Sequence, residues 1–583
     1  MNLVLATMTA KYSHSSLALK YLEKACRRQG YNPIIKEYTI NTGLLTVLAD
    51  VFNASPDILG LACHIWNIGP TLELVSMVKK ILPNCQIILG GPEVSYDAEQ
   101  IITDNPAIDY IILGEGEEIL PQLVADITSG KKPTVGNGLV WRSGNQIIAG
   151  TPVIVQTLDN LPFPYDDSDM PELKDKIIYY ESSRGCPFSC QYCLSSATSG
   201  VRFLSRERVQ ADLDFFLRHG VRQVKFVDRT FNAKRDHYLP ILQYLAAADT
   251  NTNFHFEIAV EYLDDDVLAF LVTVPVGRFQ FEIGVQSTRP ETLRAISRHN
   301  DWPRIVRSVN TLRKVGNIHL HLDLIAGLPE ESYRQFAQSF NDVYALNPHM
   351  LQLGFLKLLK GAGIRTVAAQ HGYIYMDIAP YEVLGNNYIT YAELRKLKII
   401  EDLVDKFHNS GRFTQTMAWI IANYNGDAFA FFQALADIWQ QQGLDMVAHS
   451  SKTLYQKLDD FIGQTRPEIR AITQEFMKFD ALTSEGGTVR PDFLSWNGGA
   501  WADEKNAFWR EPDKVRPYLP EYSFTTWRDL KKKHHIEVFG YCLPEYLTGK
   551  TIVARNTAIL FTYQNNAVTY QEINNQDFWT EEK

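Results

Sequence analysis

Over the first 150 residues, short apolar runs alternate with amphipathic stretches. NLVLA (2–6), PIIKEY (33–38), DILGLAC (57–63) and QIILGG (86–91) read as strands, and DYIILGEGEE (109–118) as a strand, a Gly turn and a helix start. Between them, Leu17 to Gly30 reads as a helix with Leu17, Leu19, Tyr21, Leu22 and Ala25 inward and Gly30 at its end. Apolar runs joined by helices predict a parallel sheet covered on both faces, a doubly wound α/β domain. Each strand ends in small or polar residues: Ser13–Ser16, His64–Asn67, Gly90–Glu93 and Gly114–Glu117. Ligands of such sheets bind beyond the carboxyl ends of the strands, so these clusters are expected to wall one site.

GLVWRSGNQIIAG (138–150) reads as a hairpin, and the proline- and acid-rich stretch around 158–171 as a boundary. From 175 a second series begins: IIYYESS, VKFVD, FHFEIAV, RFQFEIGVQS, HLHLDLIAGLP and MLQLGFLKLL. Six strands separated by helical stretches predict a partial (β/α)6 barrel with its active end at the strand carboxyl termini. After 385 helical periodicity runs to about 480, followed by strand-like HIEVFGYCLPEYL (535–547) and TIVARNTAILFTYQ (551–564). The expected organisation is a flavodoxin- or Rossmann-like domain over 1–155, a linker over 156–174, the barrel over 175–385 and a mixed α+β domain over 386–583.

Composition narrows the class. The 583 residues are 45% hydrophobic, enough for several large cores. A net charge of −10 gives no support to a nucleic-acid partner. No apolar run has the ~20 residues of a membrane span. The start lacks a signal-peptide pattern, so a cytoplasmic protein is expected. Seven sparse cysteines do not form a secreted disulfide framework.

Three of those cysteines fall together in ESSRGCPFSCQYCLSS: Cys186, Cys190 and Cys193, spaced C-x3-C-x2-C after the first barrel strand. Three thiolates on one loop hold three irons of a [4Fe-4S] cluster and leave the fourth open for chemistry. A structural zinc site needs a fourth ligand, and the next one along the chain is His219, beyond a helical segment.

This loop, with Tyr192 before the third cysteine, resembles the signature of the radical S-adenosylmethionine (SAM) superfamily. The resemblance implies that the open iron chelates SAM and that one electron cleaves it to a 5′-deoxyadenosyl radical. GVQS (284–287) resembles a motif of the oxygen-independent coproporphyrinogen oxidase-like branch. There a Gln, an Arg twelve residues on and an Asp thirty-seven residues on contact SAM; here these are Gln286, Arg298 and Asp323. Glu257 is the matching carboxylate of the preceding strand, with Glu261 its rival. The second strand, VKFVDRTFN, departs from the usual glycine-rich edge; Asp228 is its nearest substitute.

A sheet domain ahead of such a barrel resembles the cobalamin-binding class of radical SAM enzymes, whose corrinoid domain carries patterns like GGPE (90–93) and ILGEGEEILPQLV (112–124). The resemblance implies that Gly90, Gly91, Gly114 and Glu115 face cobalamin, with Ser13, His64 and Trp66 as further contacts. The Asp-x-His-x-x-Gly motif is absent, so no protein histidine is expected on cobalt.

The implied function is methylation of an unactivated carbon through a 5′-deoxyadenosyl radical and methylcobalamin. It requires an external one-electron reductant of the flavodoxin or ferredoxin type and acts on a small molecule or an unassigned substrate. The alternatives are a radical rearrangement or ring closure, methylthio transfer with a second cluster on Cys26, Cys63 and Cys85, and a non-catalytic corrinoid or redox sensor. The carboxyl-terminal domain is expected to select substrate, with Trp496, Asn497 and Trp501 as contacts.

Overall fold

The computed structural model describes residues 1–579 except 145, 198, 199, 525, 565 and 566. The chain divides into two units. The first comprises Met1–Ser339, Leu346–Pro348 and Leu353–Leu394.

Its amino-terminal sheet contains β1 (Leu3–Thr9), β2 (Ile34–Thr39), β3 (Ile58–Ala62), β4 (Gln86–Gly90), β5 (Tyr110–Ile112), β6 (Leu139–Ser143) and β7 (Gln146–Ala149). Their order is β2-β1-β3-β4-β5-β6-β7, with the first five parallel and the last two an antiparallel extension. The order reverses between β1 and β3, the topological switch point of a doubly wound sheet. Every residue of β1 and β3 is buried, because helices cover both faces.

The helix Leu17–Arg28 starts where the Ser16 side chain accepts from the Leu19 amide at 3.3 Å. Leu19 and Cys26 pack on the sheet. Lys20 and Lys24 are buried too, an unusual place for lysine, because they face the connector to the barrel. Lys20 pairs with Asp169 at 2.5 Å, and Lys24 with Asp166 at 2.6 Å and Asp169 at 3.0 Å. Arg28 donates to the Asn160 carbonyl at 2.6 Å. The segment expected as a linker is clamped along this helix.

The second sheet contains β8 (Ile178–Tyr180), β11 (Gln223–Phe226), β12 (Asn253–Ile258), β13 (Phe279–Gln286), β14 (His319–Ala326) and β15 (Met350–Phe355), in the order β15-β14-β13-β12-β11-β8. Pairing from β8 through β14 is parallel. Phenylalanines 254, 256, 279 and 281 are fully buried between sheet and helices. Alternate residues point into the barrel: His255 and Glu257, Glu282 and Gln286, His321 and Asp323. Between β8 and β11, β9 (Ser183–Gly185) and β10 (Val201–Phe203) form an antiparallel ladder that closes the cysteine loop.

The second unit comprises Phe340–Ala345, His349–Gln352 and Arg395–Lys583. Helices run to Thr483, and a three-stranded antiparallel sheet follows: His534–Phe539, Thr557–Gln564 and Ala567–Glu572. The apolar run 535–547, expected as one strand, ends as a strand at Phe539. Leu543–Gly549 is a helix with Pro544 in its first turn, where a missing N–H is tolerated. Trp496 donates to the Pro491 carbonyl and lies under Arg490, Asn497 bonds both backbone groups of Val538, and Trp501 packs on Trp579. These three side chains all make contacts within the domain. No helix among the described residues is long and apolar enough to cross a membrane.

Candidate functional site

Two cavities lie in the first unit. One, of about 640 Å³, opens along one face of the amino-terminal sheet, between the carboxyl ends of its strands and the helix Leu17–Arg28. His64, Trp66, Gly90, Gly91, Gly114 and Glu115 all line it. Ser13 does not; its neighbour Ser15 does, with a buried Oγ that has no hydrogen-bond partner. The His64 and Trp66 rings stack at 4.6 Å, and Trp66 Nε1 donates to the Met8 carbonyl at 3.0 Å. Burial pulls the His64 imidazole down to about 4, so it is neutral at physiological pH.

Gly114 has φ +81°, and a Cβ there would lie 2.3 Å from the Val153 carbonyl oxygen. This glycine serves a close backbone crossing as well as the cavity wall. Glu115 is committed to protein cations. Burial opposes its ionisation, but Arg202 and Arg184 outweigh that and hold it below the usual carboxylate range. Arg184 also donates to Glu117 and Glu181 at 2.6 Å each. The cysteine loop is thereby tied to the turn after β5.

The second cavity, about 190 Å³, brings Cys186, Cys190, Cys193, Tyr192, Glu257, Gln286, Arg298 and Asp323 together at the carboxyl end of the barrel. Cys186 Sγ lies 3.5 Å from Thr230 Oγ1. Arg298 reaches Cys190 Sγ at 3.7 Å and the Tyr192 hydroxyl at 3.3 Å, and also donates to Asn300 at 2.9 Å and to the Gly284 carbonyl. Arg298 is thus a brace of the cysteine loop, with few donors left for a carboxylate. Gln286 Oε1 is buried and unpartnered in the wall.

Asp228 is not in this pocket. It is fully buried and accepts from Ser182 N at 2.9 Å, Ser182 Oγ at 2.7 Å and Ser183 Oγ at 2.6 Å. It anchors the strand before the cysteines instead of meeting a ligand. Glu261, the rival of Glu257, is also outside the pocket wall.

Below the cysteines the lumen is ionic. Glu282 lies 2.9 Å from Lys225 and 3.0 Å from His255. Burial works against its charge, yet these neighbours bring its carboxyl down to about 2. Glu257 has no such partner; burial, then the charge of Glu282, push it up to about 7. Burial also raises Asp323, which lies 3.0 Å from His321. Glu282, His321 and Asp323 group as metal ligands do, but Lys225 already supplies a cation there.

The remaining cysteines are dispersed. Cys26 sits in the core on one face of the amino-terminal sheet, and Cys63 and Cys85 in the core on the other. They cannot share a second cluster, which removes the structural basis for methylthio transfer through them.

Residues 3–124 match the family described as B12 binding domain, and residues 180–343 match the Radical SAM superfamily. The chain thus carries a B12-binding domain followed by a radical SAM domain. Residues 369–561 match a family described as a protein of unknown function (DUF4080). The cofactors of such a radical SAM protein are a [4Fe-4S] cluster, SAM and cobalamin. The residues present fit them: three thiols on one pocket wall for the cluster, the open Gln286 Oε1 for SAM, and the open Ser15 Oγ in the sheet-face cavity for an amide-rich corrinoid.

Among curated proteins, the cobalamin-dependent radical SAM methyltransferase TokK of Streptomyces tokunonensis is 28% identical over 340 residues, 53% of this chain and 48% of TokK. The 2-(S-pantetheinyl)-carbapenam-3-carboxylate methyltransferase of Streptantibioticus cattleyicolor is 28% identical over 353 residues, 54% of this chain and 50% of that one. The chain thus spans about half the length of these relatives. The structure of the cobalamin-dependent SAM radical enzyme OxsB with aqua-cobalamin bound superposes with a TM-score of 0.59 at 13% identity, over 82% of this chain and 79% of that one, a likeness of fold.

The Ser13–Ser16 cluster reaches the cavity through Ser15 and Ser16, while the sequence missed Arg184, Arg229 and Glu282 as cavity residues. Glu282 was legible as the inward position two before Gly284; the others depend on packing between segments far apart in the chain.

Proposed function

We propose that the protein is a methyltransferase that adds a methyl group to an unactivated carbon of a small molecule. The carrying observation is that the two cofactor-type cavities share a wall residue, Arg229. That arrangement suits a reaction in which one substrate meets both cofactors, because reacting atoms must approach to roughly 3–3.5 Å. The carbapenam and TokK methyltransferases among the relatives support the same reading.

When bound, SAM and the cluster supply a hydrogen-abstracting radical and cobalamin supplies the methyl group. The chain's own residues do the rest. Cys186, Cys190 and Cys193 hold the irons, and Arg298 braces their loop. Gln286 and Glu257 hold SAM by its polar groups, with Glu257 as acceptor once it is ionised. Phe188, stacked on Tyr262 at 5.9 Å, supplies an apolar part of the cysteine pocket wall. A flavodoxin- or ferredoxin-type protein delivers electrons.

The test is anaerobic incubation with methyl-labelled SAM, a reductant and cell extract, followed by mass spectrometry. A product heavier by one labelled methyl group is expected. Deoxyadenosine formed with an unmethylated, rearranged product would overturn the reading in favour of a radical rearrangement.

A further inference from the structure

Among the described residues, Arg229 alone lines both cavities. The turn that carries it is fixed on both sides. Before it, Asp228 is buried and holds Ser182 and Ser183. After it, Thr230 touches Cys186, and the Asn232 side chain brackets Ala259, donating to its carbonyl at 2.8 Å and accepting from its amide at 2.9 Å. The backbone at Arg229 cannot shift without breaking several buried hydrogen bonds.

The guanidinium itself makes no hydrogen bond or ion pair with any described residue, and it is exposed to the cavities. The carboxylates around it are matched elsewhere: Glu115 by Arg202 and Arg184, Glu117 and Glu181 by Arg184, Glu282 by Lys225, and Asp323 by His321. Glu257 is the exception: burial and the charge of Glu282 favour its neutral form, against the pull of Arg229 and Lys225. An arginine on so fixed a turn, with no hydrogen bond or ion pair of its own among the described residues, can offer a two-pronged bond to a carboxylate or phosphate.

We infer that Arg229 seats the anionic group, a carboxylate or phosphate, of the small molecule on which both cofactors act. This rests on the proposed methyl transfer.

The experiment uses the full chain reconstituted with cluster and cobalamin. An ultrafiltered small-molecule extract is split on an anion-exchange resin, and each fraction is incubated with methyl-labelled SAM and reductant. The labelled product is expected from the retained, anionic fraction. R229Q should lower labelling at limiting substrate by about ten- to a hundredfold, the range for a lost charged hydrogen bond. R229K, which keeps the charge but not the fork, should fall between the two. Iron content, cobalamin content and the SAM dissociation constant of R229Q, measured without extract, should match the parent protein. Label from the unretained fraction alone overturns the inference and leaves methyl transfer standing. Loss of cobalamin or of SAM affinity in R229Q reassigns the arginine to a cofactor and overturns it as well. Label from neither fraction overturns the methyl-transfer reading and this inference together.

Discussion

Glu115 and Arg202 form a two-pronged ion pair, with NH1 donating to Oε2 at 2.9 Å and NH2 to Oε1 at 2.6 Å. Arg202 stands directly opposite Arg184 in the β9–β10 ladder, so two like charges meet across a strand pair. That juxtaposition is unfavourable on its own and is offset by Glu115, which both arginines reach. A residue expected to face cobalamin thus closes the base of the cysteine loop.

Replacing Glu115 by Gln should destabilise the apo chain by about 1–3 kcal/mol, because two partly buried arginines lose their shared carboxylate. The Glu115 carboxyl is held low in the folded state, so its contribution is present above the usual carboxylate pKa and is lost as pH falls through the depressed value. Urea titrations of both proteins at neutral and acidic pH check this. Equal midpoints at neutral pH would remove the ion pair from the account.

The two cavity glycines should respond differently. Gly114→Ala forces a Cβ against the Val153 carbonyl at a positive φ, and should lower the melting temperature of the cobalamin-free chain. Gly90 meets only Ile112, at 3.8 Å, so Gly90→Val should fill the cavity while the fold survives. Cobalamin retained on gel filtration, read by absorbance, should fall sharply in Gly90→Val with a melting temperature near the parent's. Full retention would move the cofactor out of this cavity.

Serine at Cys186, Cys190 or Cys193 should each reduce cluster iron and abolish reductive SAM cleavage while leaving circular dichroism unchanged. Beside the thiol contacts to Arg298 and Thr230, backbone bonds fix the loop, such as Gln191 N to the Ile296 carbonyl at 2.9 Å. A variant that still releases deoxyadenosine would exclude that cysteine as a ligand.

Glu257 gives a pH signature. Its carboxyl is raised to about 7 when folded, so the folded chain binds the extra proton between the unfolded value of 4.5 and 7. The stability it contributes is full below that window and is lost as pH rises through about 7. In Glu257→Gln this dependence should vanish, with the variant gaining ~1–3 kcal/mol on the parent between pH 5 and pH 8. SAM affinity should move the other way in the parent, strengthening as the carboxyl ionises, and should stay flat in the variant. Isothermal titration at the two pH values measures both proteins; a parent that also stays flat would take Glu257 out of SAM binding.

Much of this was readable because it is local. Continuous apolar runs gave the inner strands, since strands buried on both faces have no polar alternation to lose. The cysteine spacing gave the loop, whereas the ionic lumen went unread in the HLHLDL alternation of β14. Asp228 was misplaced because sequence shows a carboxylate near a strand end but not which way the strand turns it; two serines 46 and 45 residues away decide that. The clamp from Glu93 to the Tyr381 hydroxyl, 288 residues apart at 2.8 Å, is illegible for the same reason. In the last domain, apolar content was mistaken for a strand where Pro544 starts a helix. Hydrophobicity alone does not distinguish the two over so short a run.

The connector clamped by Lys20 and Lys24 bears on how this chain can be inherited and dismantled. Cutting near Asp166 would part Lys20 and Lys24 from Asp166 and Asp169, leave only Glu23 near them at 3.7 and 3.9 Å, and uncover the helix face that the connector shields. Neither half is then a self-sufficient module, and heating should dissolve both sheets in one calorimetric peak rather than two. Recombination that swapped one half for a foreign counterpart would have to carry the matching lysines or aspartates along with it.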